Sequence, residues 1–554
     1  MRTQDLNGIW HFAFHQGTSL EELNPAAERL DGLMCVPGCF DCFPDEYCQR
    51  GCGVYSRDFT LDESWRSCWL RIEGMGLRGA FFLDGRPLGE CALPYSTFEL
   101  ECGSLAAGKH SITALLDNNL DAEKMKLFLP FYDFYGFGGF YHGVSLRMSQ
   151  EENPLDCIFV RTLDYRTGKL ELEFVFKHAS PAKFQTRLSI NDESEAEYEV
   201  RDCRLEMLRP DLPLWSSSSP AMHILSARVG SDVVTETFGI REIRAENANI
   251  LLNGERIYLK GFNRHESAPI SGAATTRQQM LVDLQHLKSL NANFIRGCHY
   301  PQSQEFLDLC DEMGFLVWEE SLGWGNTAQQ MQDSNFCKLQ VEQTRLMVRN
   351  SFNHPSVIIF GFLNENESHT DEGVELCRML ADTIRAENSG RLVTFADDRH
   401  QRDRSLQFMD VLTFNAYPGW IQTSEGKLDP MEEIEPGLEK LIQHLRQAHG
   451  KDKPIIVSEM GCCGIYGQHD EAAAQWTEEF QAEYVAKVLD AVTYSPEIAG
   501  ISLWQLNDAK SYHRKGSNIR CKPLSQNLAG AYDQYRRPKL VAQVIKARFG
   551  QIEE

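Results

Sequence analysis

Near residue 245 the rhythm of the chain changes, and that change limits the folds open to it. Before it, short runs such as GIWHFAF, YSRDFTL, CWLRIEG and HSITALLDNN alternate apolar with polar residues and are punctuated by Gly, Asp and Asn. A period of two suits half-buried strands of a sandwich or barrel. After it, amphipathic helical stretches such as TTRQQMLVDLQHLKSL alternate with short apolar runs: NFIRG, FLVWEE, VIIFGF, VLTFN, PIIVSEM and IAGISLW. Strands apolar on both faces, each following a helix, predict parallel βα units and favour a closed (β/α)8 barrel over an open sheet. We therefore expect a multidomain protein, β plus α/β: a first β domain over 1–152, a second, smaller sandwich over 153–243 and a barrel over 244–554.

With 554 residues the chain is too long for one core, in keeping with several domains. The formal net charge of −24, from 55 basic and 79 acidic residues, argues against nucleic acid and anionic membrane surfaces as partners. No apolar run at the N-terminus has the character of a signal peptide, and no later run reaches the length of a membrane span. The 17 cysteines are scattered without the spacing of a zinc site or a disulfide framework, so a reducing, cytoplasmic setting is expected. No GxGxxG or Walker loop follows any strand, which weakens a nucleotide-binding reading.

In a barrel of this kind the site is built where strands end. The strand exits collect Arg296 and His299, Glu319 and Glu320, Asn364 and Glu365, Asn415 and Tyr417, Glu459, and Trp504 with Asn507 and Asp508. Carboxylates, amides and an aromatic platform at one mouth suit a sugar, which offers hydroxyls to hydrogen-bond and an apolar ring face to stack. Glycoside cleavage needs one carboxylic acid and one carboxylate. Glu365 and Glu459 each directly follow an Ile- and Val-rich strand, about three βα units apart, and are the expected pair. Arg296 is expected to orient a carboxylate from below. A different class stays open: a lectin-like protein on an inactive barrel, which would have no use for both glutamates.

These motifs, GFNRHE at 261–266, then SLNANFIRGCHYP, FLNE, PIIVSEMG and SLWQLND, resemble glycoside hydrolase family 2 in kind and order, over essentially the whole chain. The segment FYDFYGFGGFYHGVSL is similar to the stretch where the sugar-binding sandwich of that family reaches its barrel. The resemblance implies a jelly-roll sandwich, an immunoglobulin-like sandwich and a (β/α)8 barrel. It implies Glu365 as general acid/base, Glu459 as nucleophile, Asn364 on the sugar 2-hydroxyl and Tyr417 on Glu459. His299, Asp133 and Trp504 would line the sugar subsite, and the enzyme would be a homo-oligomer with a carbohydrate substrate.

The chain departs from both well-known branches of that family. A histidine that follows NRHE in metal-dependent β-galactosidases is missing after Glu266, so neither a metal nor another cofactor is expected. Of the Asn-x-Lys motif that grips a glucuronate carboxylate, Asn527 remains but the lysine position is Ala529. Losing such a charge-assisted bond removes about 1.5–3 kcal/mol. The preceding stretch KSYHRKGSNIRCKP is nevertheless basic, and Arg520 and Lys522 are candidates to hold a uronate carboxylate from another direction. The expected activity is a retaining, exo-acting β-hexuronidase acting on galacturonide or glucuronide, with a neutral β-galactosidase as the alternative.

Overall fold

The computed structural model describes residues 1–420, 429–493, 495–512 and 525–552. Two antiparallel sheets form the first sandwich. One runs in the order Gly32–Val36, Gly8–Gln16, Gly51–Leu61, Gly108–Asp117, Arg78–Leu83 and Arg86–Cys91; the other runs Arg2–Asp5, Val144–Ser149, Trp65–Ile72 and Phe98–Leu105. Their inward residues, among them Trp10, Tyr55, Leu70, Phe81, Phe140 and Leu146, are buried in one core. A seven-stranded antiparallel sheet from Leu155–Asp164 to Asp232–Phe238 follows, around Ile158, Leu172, Phe174, Leu188 and Leu225. The alternating pattern of the sequence is thus realised as antiparallel pairing with one wet face.

The remainder closes a parallel barrel of eight strands: β1 (Leu259–Arg264), β2 (Phe294–Gly297), β3 (Leu316–Glu320), β4 (Val357–Gly361), β5 (Leu392–Val393), β6 (Leu412–Asn415), β7 (Ile455–Met460) and β8 (Ile498–Leu503). Consecutive strands are neighbours and β8 pairs with β1. The β5–β6 seam is held by the Asp410 amide donating to the Val393 carbonyl at 2.9 Å. β1, β2, β3, β4 and β7 are buried along their whole length, the polar residues at their ends included. Helices start where side chains cap them: Thr276 opens Arg277–Ser289 by accepting from the Gln279 amide, and Thr370 opens Asp371–Ala386 by accepting from Gly373. Between β5 and β6 the chain instead makes two short 3₁₀ turns, His400–Arg402 and Leu406–Phe408. Among the described residues no helix is long and apolar enough to cross a membrane.

Residues 125–137 leave the first sandwich and pack on the rim of the barrel. Phe128, Tyr132 and Phe134 are buried in the barrel's own core cluster, and Tyr95 stacks on Tyr300 with ring centroids 3.7 Å apart. Tyr512 fastens the end of this segment, its hydroxyl accepting from the Gly136 amide at 2.8 Å and from Arg50 at 3.1 Å. Gly138 is needed where the segment turns back into the sandwich, because a Cβ there would lie 2.2 Å from the Phe40 ring. Gly138→Ala should overpack this joint by about 2 kcal/mol and lower the midpoint of thermal unfolding by roughly 4–8 °C. An unchanged melting curve would mean the joint is not tight.

Candidate active site

The stretch FLNENE follows β4, and its four polar side chains divide into two pairs. Asn366 and Glu367 brace the turn: Asn366 Nδ2 donates to the Leu363 carbonyl at 2.8 Å, and Glu367 accepts from the Ala328 amide at 2.7 Å. Leu363 (φ +46°) and Glu365 (φ +54°) lie in the left-handed region, where a non-glycine residue persists only if its surroundings hold it. Here they do: the Asn364 amide donates to Gly323 and the Glu365 amide to Ala396, while Arg399 donates to the Glu365 carbonyl at 2.8 Å. The turn thereby points Asn364 and Glu365 at the other strand ends.

Arg296, at the end of β2, lies beneath them. It is fully buried, and five hydrogen bonds tie it to four residues. Nε and Nη2 grip Glu320 of β3 at 2.7 and 3.0 Å, while Nη1 reaches Asn263 of β1 at 2.8 Å and Glu459 of β7 at 2.7 Å. Nη2 also donates to Asn364 Oδ1 at 2.8 Å. Burial works against its charge, but Glu320 and Glu459 outweigh that and raise its pKa further. Tyr417 donates to the other oxygen of Glu459 at 2.6 Å.

Glu365 has a different environment. Asn415 of β6 donates both to Glu365 Oε1 at 2.9 Å and to Asn364 Oδ1 at 3.1 Å, and its own oxygen accepts from Ser458. Asn364 Oδ1, taking two donors, fixes the amide's orientation and leaves Nδ2 as a buried donor with no partner among the described residues. The chain Glu365–Asn415–Asn364–Arg296–Glu459 places both glutamates at one mouth. Burial, then the charges of Glu459 and Asp398 and, more weakly, Asp133, push the Glu365 carboxyl well above the usual carboxylate range. Burial also raises Glu459, but Arg296 and Tyr417 oppose it. Both carboxyls are thus raised, Glu365 the further, and this difference gives the unequal pair that sugar cleavage requires.

Around this pair, His299 is buried with Nδ1 3.3 Å from Glu320, and its ring stacks on Trp504 at 5.6 Å and 14°. Asp133 arrives from the first sandwich, its carbonyl accepting from Ser511 Oγ at 2.9 Å. His265, Cys298 and His299 bring ligand-type atoms within 4.8 Å of one another. Cys298 donates to the Arg264 carbonyl and His265 Nδ1 lies 3.2 Å from the Tyr300 hydroxyl, so protein groups already engage them. Glu266, in the NRHE motif, is buried against His142 at 3.2 Å.

With this geometry in place, the family model described as glycosyl hydrolases family 2, TIM barrel domain, matches residues 243–553, more than half of the chain. The chain belongs to glycoside hydrolase family 2. This glycoside hydrolase is similar over its full length to a solved family-2 β-galacturonidase from Eisenbergiella tayi. Bound to galacturonate, that structure shows 29% identity and a TM-score of 0.89, covering 100% of this chain and 98% of that one. Bound to glycerol, it shows 30% identity and a TM-score of 0.88, covering 100% and 97%. A β-glucuronidase of Streptococcus agalactiae is 26% identical over 605 residues, spanning 99% of this chain and 96% of its own.

Of the residues singled out in the sequence, the structure of this glycoside hydrolase brings Asn364, Glu365, Tyr417, Glu459, His299, Trp504 and Asp133 together, with Arg296 as their common support. Asn527 lies instead in a two-residue strand paired with Ala509–Lys510, its oxygen accepting from the Ala529 amide at 3.2 Å. Arg520 and Lys522 lie outside the described residues. Glu319 turns away from the mouth, accepts from the Gln302 amide at 2.9 Å and is pushed by burial up to about 7. Asn507 and Asp508 are structural, bonded to Asp283 and Lys539. Asp398 went unnoticed in the sequence, because DDRHQRDR reads as a solvated charged loop.

Arg296→Met would leave Glu320 and Glu459 buried without a cation, a loss of about 3–5 kcal/mol. Each carboxylate would then have its folded-state pKa raised further, so the variant keeps more of its stability at low pH and loses it as pH rises. The gap in melting temperature between parent and variant should widen from pH 5 to pH 8. A gap independent of pH would contradict the assigned charge state.

Proposed function

We propose that this enzyme is a retaining β-hexuronidase, hydrolysing a terminal β-linked uronic acid, with β-galacturonide ahead of β-glucuronide. The observation that carries the reading is the unequal pair: the Glu365 carboxyl, pushed up by burial and bonded to Asn415, and the Glu459 carboxyl, bonded to Arg296 and Tyr417. In the first step Glu365 gives its proton to the glycosidic oxygen as a Glu459 oxygen bonds to the anomeric carbon, and the aglycone leaves as an alcohol. In the second, Glu365, now a carboxylate, takes a proton from a water whose oxygen attacks that carbon and releases Glu459. This course needs the two carboxyl groups about 5–5.5 Å apart.

Asn364 Nδ2, a buried donor without a protein partner, is placed to meet the sugar 2-hydroxyl. Trp504 supplies an apolar face, and His299 and Asp133 supply polar contacts. The uronide preference is supported by the full-length likeness to the Eisenbergiella tayi β-galacturonidase. The Asn527–Ala529 turn supports galacturonide over glucuronide: the amide oxygen is spent on its own backbone and no lysine follows. We assign the carboxylate grip to Arg520 and Lys522. Nearby in the chain, the Ser511 hydroxyl donates to the Asp133 carbonyl and the Ser511 amide to Ser525.

Four p-nitrophenyl β-glycosides test the substrate: galacturonide, glucuronide, galactoside and glucoside. The galacturonide should show the highest kcat/KM, about 10- to 100-fold above the neutral sugars. Turnover of neutral sugars alone would refute the uronide reading. In ¹H NMR of the galacturonide reaction the β-anomer of free galacturonate should appear first; the α-anomer appearing first would refute retention.

A further inference from the structure

Resting on the assignment of Glu365 as acid/base, we propose that Asp398 is its positioning residue: a fixed negative charge that the loop after β5 holds beside the acid/base in both steps of the catalytic cycle. The loop after β5 that carries Asp398 is stitched to the acid on both sides. Ala396 accepts the Glu365 amide at 2.9 Å, and Arg399 donates to the carbonyls of Glu365 at 2.8 Å and Asn366 at 2.9 Å. Between them, Asp397 anchors the loop to β6, its carbonyl accepting from the Asn415 amide at 2.7 Å, and its carboxylate takes the amides of Arg399 and His400. Asp398 therefore cannot shift without moving the peptide that presents Glu365.

Its carboxylate is engaged in an unusual way. Asp398 Oδ1 lies 3.1 Å from Arg399 Nε, yet the single hydrogen on Nε is committed to the Asn366 carbonyl, so this buried oxygen has no hydrogen-bond partner. The side chain as a whole keeps 29% of its surface exposed, but the inner oxygen meets neither solvent nor a donor, and a charge on that side acts on its buried neighbours. Asp398 raises Glu365 second only to Glu459 among the charges that act on it, and is itself pushed up to about 6 by burial, against Arg399 and Arg402, so it remains ionised at neutral pH.

The groups that face Glu365 explain why a second anion matters. They are Glu459 from β7, Tyr417 and Asn415 from the β6 end, Asp133 from the sandwich, and Asp398 with Arg399 from the β5 loop. When Glu459 becomes an ester its charge is gone, and the push it gave Glu365 goes with it. Asp398 keeps its charge in that intermediate and holds Glu365 basic enough to deprotonate the attacking water.

The test is the pH profile of kcat/KM for p-nitrophenyl galacturonide in the parent, Asp398→Asn, Asp398→Glu and Glu365→Ala. Removing the anion favours ionisation of Glu365, so in Asp398→Asn the basic limb should move down by about 0.5–1 unit, a three- to tenfold loss on that side. The acid-side plateau should change by less than about threefold, and Asp398→Glu should restore the limb. An unmoved limb, or a uniform loss at every pH, would overturn the proposal. Glu365→Ala, assayed with a dinitrophenyl leaving group that needs no proton, should lack the parent's basic limb. If the limb persists there, the acid/base assignment itself is wrong and this inference falls with it.

Discussion

The guanidinium of Arg296 is the point on which the site depends. One planar cation with five donors can satisfy groups from several strands at once, and here it ties β1, β3, β4 and β7 through Asn263, Glu320, Asn364 and Glu459. Burying it alone would be prohibitive, and burying Glu320 and Glu459 alone equally so. Together they form a network in which each charge justifies the other's burial, and its geometry is rigid because every member makes two or more hydrogen bonds. The face of Trp318 beneath the guanidinium, 4.8 Å from its centre, completes the seat.

From that seat the asymmetry of the two glutamates follows. Glu459 sits directly on the cation, while the Glu365 carboxyl is two amides removed from it, linked through Asn415 and Asn364. Burial raises both carboxyls, but the cation restrains the rise at the first position and not at the second, without either residue being special in sequence. The sandwich reaches the same mouth through residues 125–137, where the charge of Asp133 acts on Glu365.

Much of this was legible in the sequence. Glu365 and Glu459 stand directly behind apolar strands, and a polar residue there must either be satisfied or do chemistry. Arg296 read as a support for a carboxylate, because an arginine closing a buried strand requires one. Other features were hidden for physical reasons. β5 has only two residues, Leu392–Val393, and no α-helix follows it, so no period marks the loop that carries Asp398. The role of Asn415 depends on partners from β4 and β7 that are distant in sequence. Asn527 matched a motif by position, yet the local turn it makes with Ala529 spends its oxygen on its own backbone.

The central claim is that Glu459, the carboxylate seated on Arg296, attacks the sugar. A 2-deoxy-2-fluoro-galacturonosyl fluoride slows the second step more than the first and lets the covalent intermediate accumulate. Peptide mass spectrometry after brief exposure should then find one fluorosugar per chain, on the peptide carrying Glu459 and on that residue. A label on Glu365 or on another carboxylate, or clean hydrolysis of the reagent with no labelled peptide at all, would contradict the account.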